Sequence, residues 1–231
     1  MGKVIIQKET TKNPVELIGE ESGICYGSDV TDKAKNFFRG LDCIEANHGR
    51  TLEFPQVYMI LEGYSAKVMR EFYTHIGGDP TRLQASTRYI DYEHGFEYVT
   101  PLSIAYNEDA KFEYESAMEM IATTMTNLAN LGIPKEDASM LLPLGMQTKV
   151  VVRTNLRALI DMSRQRMCHR AFWEYRMLME DILAALADYS PDWNTLVNNV
   201  KVFKPKCEAL GYCPERKGCG KMPNRNGESK K

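Results

Sequence analysis

The stretch QTKVVVRTNLRALIDMSRQRM, Gln147 to Met167, decides how the chain folds. Its apolar residues Leu156, Leu159, Ile160 and Met162 recur at helical period. Leu178, Ile182 and Leu186 do the same in the following segment, Arg170 to Ala187, so two amphipathic helices are expected to pack together. Read as helix throughout, the first segment carries Arg153, Asn155, Arg157, Arg164 and Arg166. At about 100° per residue, Asn155 and Arg166 fall within about 20° of each other, whereas Arg157 points about 200° away from Asn155. Charged residues this dense beside apolar ones face either water or an anion. Two readings stay open: a solvated helix whose arginines pair with acids such as Asp161 and Glu174, or a helix that binds anions on two surfaces, as one lying between subunits would.

Working outward, Gly132 and Pro134 stop a long helix expected from Asp109 to Leu131, and a shorter helix follows Pro134. Gly95 to Pro101 and Pro55 to Glu62 are rich in β-formers and read as strands, while Ser65 caps a helix through Tyr73 that Gly77-Gly78 ends. Asp32 to Asn47 places Ala34, Phe37, Phe38, Leu41 and Ile44 near helical period, with His48-Gly49 as its stop. Pro14 to Ile18 alternates like a short strand. Helices and strands interspersed without a βαβ repeat indicate an α+β fold. The expectation is a single domain over residues 1–221, with a small mixed or antiparallel sheet packed against several long helices. Met222 to Lys231 offers almost nothing to bury and is expected to be a disordered tail.

At 231 residues, 26.3 kDa and 43% hydrophobic, the chain is long enough for one sizeable core. Twenty-nine basic residues against 31 acidic ones give a net charge of −2, so no overall field draws it to nucleic acid or an anionic membrane. Any bound anion must be met by a local arginine cluster. The start lacks an apolar signal core, and no apolar run approaches the roughly 20 residues that span a bilayer; a cytoplasmic protein is expected. Six scattered cysteines do not suggest a disulfide scaffold. Cys207, Cys213 and Cys219 lie at intervals of six and lack the paired CxxC spacing of four-ligand structural zinc. No metal is assigned; a tight terminal loop, or a site completed by a ligand from elsewhere, both stay open. Cys168-His169 is no nucleophilic pair, because adjacent helical residues point about 100° apart.

A second constellation runs from Thr74 to Tyr89. Paired glycines, the hydroxyls of Ser86 and Thr87, and Arg88 place flexible amides, neutral donors and a bidentate cation in one loop, which suits a phosphate. A structural loop with a surface arginine would show many of the same residues. His75 is a candidate base, or simply a histidine favoured by a helix C-terminus. Neither a Walker lysine motif nor a strand–GxGxxG–helix unit is present.

Several segments together resemble one family. Ser139 to Leu144 with Thr148, then Thr154-Asn155-Leu156-Arg157-Ala158-Leu159, Arg166, and Trp173-Glu174-Tyr175-Arg176 resemble the C-terminal half of flavin-dependent thymidylate synthases. Gly23 to Ser28, the His48-Gly49-x-x segment at Asn47 to Thr51, and Ser86-Thr87-Arg88-Tyr89 resemble upstream elements, so the likeness spans roughly Val15 to Ala187. It implies FAD-dependent methylation of dUMP to dTMP, with methylenetetrahydrofolate and NADPH as co-substrates, in a homotetramer whose active sites combine several subunits. By the same likeness Asn155, Arg157, His75 and Thr51 contact FAD, joined by Cys25, Arg50 and Glu53. Arg166 touches the pyrimidine and stabilises charge developing on it. Ser86 and Arg88 hold the substrate phosphate, with Gln84 and Thr87 beside them in the loop and Glu71 where the family has a glutamine.

The chain departs from that family at one place above all. The family's Arg-His-Arg reads Thr74-His75-Ile76 here, Ser86 comes two residues later than in the family pattern, and Ser139 stands where an arginine often meets the phosphate. Losing one charge-assisted phosphate contact costs about 1.5–3 kcal/mol, and Arg82, inside the lengthened loop, is the candidate replacement. These departures keep two alternatives in view: flavin-dependent modification of another pyrimidine nucleotide on the same fold, and a non-catalytic nucleotide- or zinc-binding protein.

Overall fold

A computed structural model describes residues 2–75, 77 and 80–225. In chain order they form β1 (Lys3–Ile6), α1 (Pro14–Cys25), α2 (Lys33–Glu45), β2 (Gln56–Ser65), α3 (Ala66–Phe72), β3 (Thr81–Gln84), α4 (Leu102–Ala105), α5 (Glu108–Asn130), α6 (Lys135–Ala138), β4 (Gln147–Asn155), α7 (Leu156–Arg166), α8 (Trp173–Tyr189), α9 (Pro191–Asn194) and α10 (Lys206–Leu210). The strands make one small antiparallel sheet in the order β1-β2-β4-β3, giving an α+β architecture. By internal contacts the chain divides into two compact units, residues 1–3, 61–73 and 83–151, and residues 4–60, 74–82 and 152–231.

The largest correction falls on the opening stretch, where Gln147 to Asn155 is strand β4 and helix α7 begins only at Leu156. Thr148, Val150, Val152 and Thr154 are buried in strict alternation, a period of two carried mostly by β-branched side chains. Asn155 is the hinge between the elements. Its extended backbone closes the strand, and its side-chain oxygen accepts from Ala158 N at 2.9 Å, capping α7. Arg153 and Asn155 are therefore not on the helix, and the shared face with Arg166 does not exist.

Within the second unit, α1 replaces the strand expected at Pro14 to Ile18. Pro14 supplies a preset φ at the first helical position. The cap comes from far along the chain: the carboxylate of Asp192 accepts from Val15 N at 3.1 Å and Glu16 N at 3.3 Å. Burial pushes the Asp192 carboxyl up from its ordinary value, against the downward pull of those two amides and with Glu16 adding to the rise. Removing the cap with Asp192→Ala is expected to lower stability by about 1 kcal/mol, read as a shifted denaturation midpoint at unchanged slope; Asp192→Asn keeps an acceptor and loses less. Helix α2 ends at Glu45, two residues short of the expected Asn47, which instead adopts φ 55° and turns the chain immediately before His48-Gly49. One face of α8 buries Tyr175, Leu178, Met179, Ile182, Leu183 and Leu186, and the indole of fully buried Trp193 donates to Thr11 O at 2.8 Å.

In the first unit the side chain of Ser65 caps α3 through Val68 N at 3.1 Å, and Asn107 caps the long helix α5 through Ala110 N at 3.0 Å. Gly95 to Pro101 is not a strand; it makes a single isolated antiparallel bridge, Tyr98 with Met146. Gly78, of the expected helix stop, and residues 226–231 of the expected tail lie outside the described residues. Among the described residues no helix is long and apolar enough to cross a membrane.

Candidate active site

Helix α7 sets the geometry of the second unit's main cavity. Its inner stripe, Leu156, Leu159, Ile160 and Ser163, is buried. Arg157, Asp161 and Arg164 stand at i, i+4 and i+7 on another face and line a cavity of about 1030 Å³ together with Arg166. Thr74, His75, Gln165, Arg170 and Lys206 add to its polar lining with Glu53 and Glu215. Five cationic side chains thus face three carboxylates there. That excess is the local cluster which the near-neutral whole chain required.

Arg166 is held on three sides. Its Nε donates to His75 Nε2 at 2.8 Å, a terminal nitrogen donates to Thr74 Oγ1 at 3.2 Å, and the guanidinium lies 4.7 Å from the centroid of the Tyr175 ring. Tyr175 is fully buried and also meets the His75 ring edge-on at 5.8 Å. Arg82 donates to the backbone carbonyl of His75. A histidine whose Nε2 accepts from a guanidinium carries its proton on Nδ1 and is neutral. Burial, then the positive charges of Arg166 and Arg82, hold its pKa down at about 4. His75 therefore orients Arg166, and the base role read for it as a lone helix-end histidine does not fit that hydrogen bond.

The shift has a consequence for stability. The unfolded chain takes up this proton near 6.5 and the folded one near 4, so between those values the unfolded state binds more protons. The protein is expected to lose roughly 1–2 kcal/mol as pH falls through that window, allowing for a half-exposed ring, and nothing from this group above it. In His75→Gln, that part of the pH dependence of the denaturation midpoint should vanish.

A second group gathers around Arg157. Its guanidinium donates to Glu53 at 2.6 Å, Glu53 also takes Arg50 at 3.4 Å, and Thr51 Oγ1 donates to His48 O at 2.8 Å. A methyl on Gly49 would sit 3.2 Å from Arg157 Cζ, so the absent side chain there leaves room for the guanidinium. Arg157 also lines a smaller recess of about 200 Å³ beside Asn47, Gly49 and Leu52. Arg50, Thr51, Glu53 and Arg157 are thus brought together. Cys25 ends α1, exposed, and is not part of either cavity's lining. Asn155 is buried and spends its side-chain oxygen on the α7 cap.

The phosphate candidates Gln84, Ser86, Thr87 and Arg88, with Glu71 on α3, belong to the first unit. Gln84 reaches Thr148 Oγ1 at 3.4 Å, and Ser86 Oγ accepts from Arg88 N at 3.3 Å. Arg88 Nε donates to Glu136 at 2.9 Å in an ion pair more than half exposed on both sides, and such a pair yields readily to a competing anion.

Sequence reasoning passed over Thr74, Arg164, Arg170 and Lys206 as cavity residues; the i+7 spacing of Arg164 from Arg157 was the available signal. Arg176 has a structural part: it donates to His169 O at 2.7 Å and Ala171 O at 2.8 Å, pinning the loop that carries Cys168 and Arg170.

The family described as "Thymidylate synthase complementing protein" matches residues 8–192. The flavin-dependent thymidylate synthase of Nitratidesulfovibrio vulgaris is 32% identical over 192 residues, covering 79% of this chain and 75% of that protein. The enzyme of the same description from Pyrococcus furiosus is 31% identical over 232 residues, covering 94% and 93%. Among solved structures, thymidylate synthase X of Helicobacter pylori with FAD and dUMP matches at TM-score 0.66 and 18% identity, over 87% of this chain and 99% of that one, a likeness of fold.

Proposed function

Because the chain belongs to the flavin-dependent thymidylate synthase family, we propose that it methylates dUMP to dTMP using FAD, with methylenetetrahydrofolate as one-carbon donor and NADPH as reductant. The observation that carries this reading is Arg166, fixed by His75, Thr74 and Tyr175 on the wall of a cation-rich cavity. FAD is an anion with two phosphates and an extended body. The donor set fits it: Arg157, Arg164, Arg170 and Lys206 exceed the acids beside them, in a cavity at the upper end of usual ligand-site volumes.

When bound, FAD supplies the redox chemistry that no side chain here can perform. Arg157 would bind it from the Glu53–Arg50 cluster, with Thr51 and His75 as further contacts, while Asn155 caps the helix that carries Arg157. Arg166 presents a preset positive charge to the uracil oxygen where negative charge develops, and its planar hydrogen bonding leaves it little to reorganise during reaction. His75, neutral at Nε2, keeps Arg166 oriented without adding a competing charge. Ser86 and Arg88, with Glu71, Gln84 and Thr87, take the substrate phosphate, Arg88 exchanging Glu136 for it.

The family's homotetrameric assembly, whose active sites combine several subunits, accounts for the exposed apolar side chains of the first unit, among them Tyr106, Phe112, Met120, Leu131 and Met140. A cytoplasmic enzyme is part of the same reading. A second reading, modification of a different pyrimidine nucleotide, is favoured by one observation. Arg82, the candidate replacement for a lost phosphate arginine, is engaged at the His75 carbonyl. Purified protein should be yellow and hold flavin in proportion to chain; colourless protein that fails to retain added FAD would overturn both readings.

A further inference from the structure

Arg166 is the last residue of α7, and its long side chain turns about several single bonds, so its direction is set by what it touches and not by the helix. Two of its partners, Thr74 and His75, lie outside any helix or strand. An arginine held by a stretch of loop is fixed only as well as that loop is. Something must hold His75 in turn.

That hold comes from the start of β3. Arg82, half-buried there, donates to the backbone carbonyl of His75 and so ties together residues seven positions apart. Thr81, the first residue of β3, is anchored within the same compact unit: Arg153 on β4, the neighbouring strand, donates to Thr81 Oγ1 at 3.2 Å. With the carbonyl held, the imidazole is aimed. Its Nε2 meets Arg166 Nε at 2.8 Å, and the fully buried Tyr175 of α8 packs edge-on at 5.8 Å from the imidazole and 4.7 Å from the guanidinium. The line of contacts from Arg153 through Thr81, Arg82 and His75 to Arg166 thus begins in the sheet and ends at the helix that carries the arginine.

We propose that Arg82 is a positioning residue for Arg166, a role that rests on the function proposed above: by clamping the His75 carbonyl it sets the imidazole, which in turn sets the guanidinium that faces the pyrimidine. This differs from the phosphate contact that its place in the lengthened loop suggests. A guanidinium that left the carbonyl to meet a phosphate would release His75 and loosen Arg166 during the reaction, so the two tasks exclude each other. The charge of Arg82 serves the same task as its hydrogen bond. Burial, then Arg166 and Arg82, keep the ring neutral, the state in which Nε2 can accept.

The test compares full-length Arg82→Gln and Arg82→Lys with the parent. Misplacing a catalytic group through its support should lower kcat by ~10–100-fold in Arg82→Gln, with KM for dUMP within about twofold of the parent. Arg82→Lys keeps a charged donor for the carbonyl and should recover most of that loss. A phosphate ligand would behave the other way: KM for dUMP would rise about tenfold or more, and the preference for binding dUMP over deoxyuridine would shrink, where positioning leaves it unchanged. Nitrogen NMR of the histidine rings gives a readout independent of turnover, with His75 assigned by the signals lost in His75→Gln. The parent should carry the His75 proton on Nδ1, and Arg82→Gln should move it toward the Nε2–H form that a free imidazole favours. A clasp serving the fold alone would lower the denaturation midpoint and leave the proton on Nδ1. That unchanged tautomer, or a rise in KM in place of the fall in kcat, would overturn the proposal. Should the parent fail to turn over dUMP, the function proposed above falls, and the tautomer comparison still decides whether Arg82 sets His75.

Discussion

Replacing Arg166 with alanine is expected to lower kcat by ~10²–10³-fold while the protein keeps its flavin. The size follows from what the residue is given to do. A guanidinium fixed by His75, Thr74 and the Tyr175 ring meets developing negative charge with little reorganisation, and losing one such preset donor typically costs that much. Arg166→Lys should recover little, since an ammonium keeps the charge but loses the planar fork that holds both His75 and Thr74. His75 should also titrate nearer its ordinary value once the guanidinium is gone, which NMR of the ring would register. Equal loss of flavin and turnover in Arg166→Ala would place this arginine at the cofactor instead of the pyrimidine.

The largest structural effect is expected from Gly19→Ala. Helices α1 and α2 approach backbone to backbone, and a methyl at Gly19 would fall 1.7 Å from Asn36 O, with Gly40 N at 2.8 Å. Neither neighbour is a side chain that can swing away, so the helices must separate and open the contact around buried Val15 and Ile18. A loss of about 3 kcal/mol, or roughly 6–12 °C in Tm for a chain of this size, is expected. Gly77→Ala serves as the comparison, because its methyl would meet nothing within 4 Å; its midpoint should stay within about 0.5 kcal/mol. A Gly19→Ala protein as stable as the parent would mean the two helices do not cross as closely as described.

What could be read in advance divides by how local the cause is. The long helix α5, α8 and the Ser65-capped α3 were legible because period and cap lie in the same few residues. Gln147 to Asn155 was misread because the apolar period beyond Leu156 was extended backward over a segment whose own alternation, Thr148, Val150, Val152, Thr154, has period two. Helix α1 hid its nature because its cap, Asp192, lies 177 positions away from Val15. The same holds at the site. Arg166 is organised by a histidine 91 positions upstream, and nothing near Thr74 announces that its hydroxyl will accept from that arginine. The cluster of Arg50, Thr51, Glu53 and Arg157 was anticipated only through the resemblance, since no spacing rule links residue 53 with residue 157.

The altered Thr74 to Tyr89 loop makes the identity of the nucleotide the central question, and one growth measurement addresses it most directly. The gene is expressed in a thymidine-requiring bacterium that lacks every other thymidylate synthase, and growth is scored without thymidine, beside Arg166→Ala and an empty vector. Methylation of dUMP predicts growth with the parent chain and none with either control. Failure of the parent chain to support growth, while it accumulates as folded, flavin-loaded protein, would contradict it.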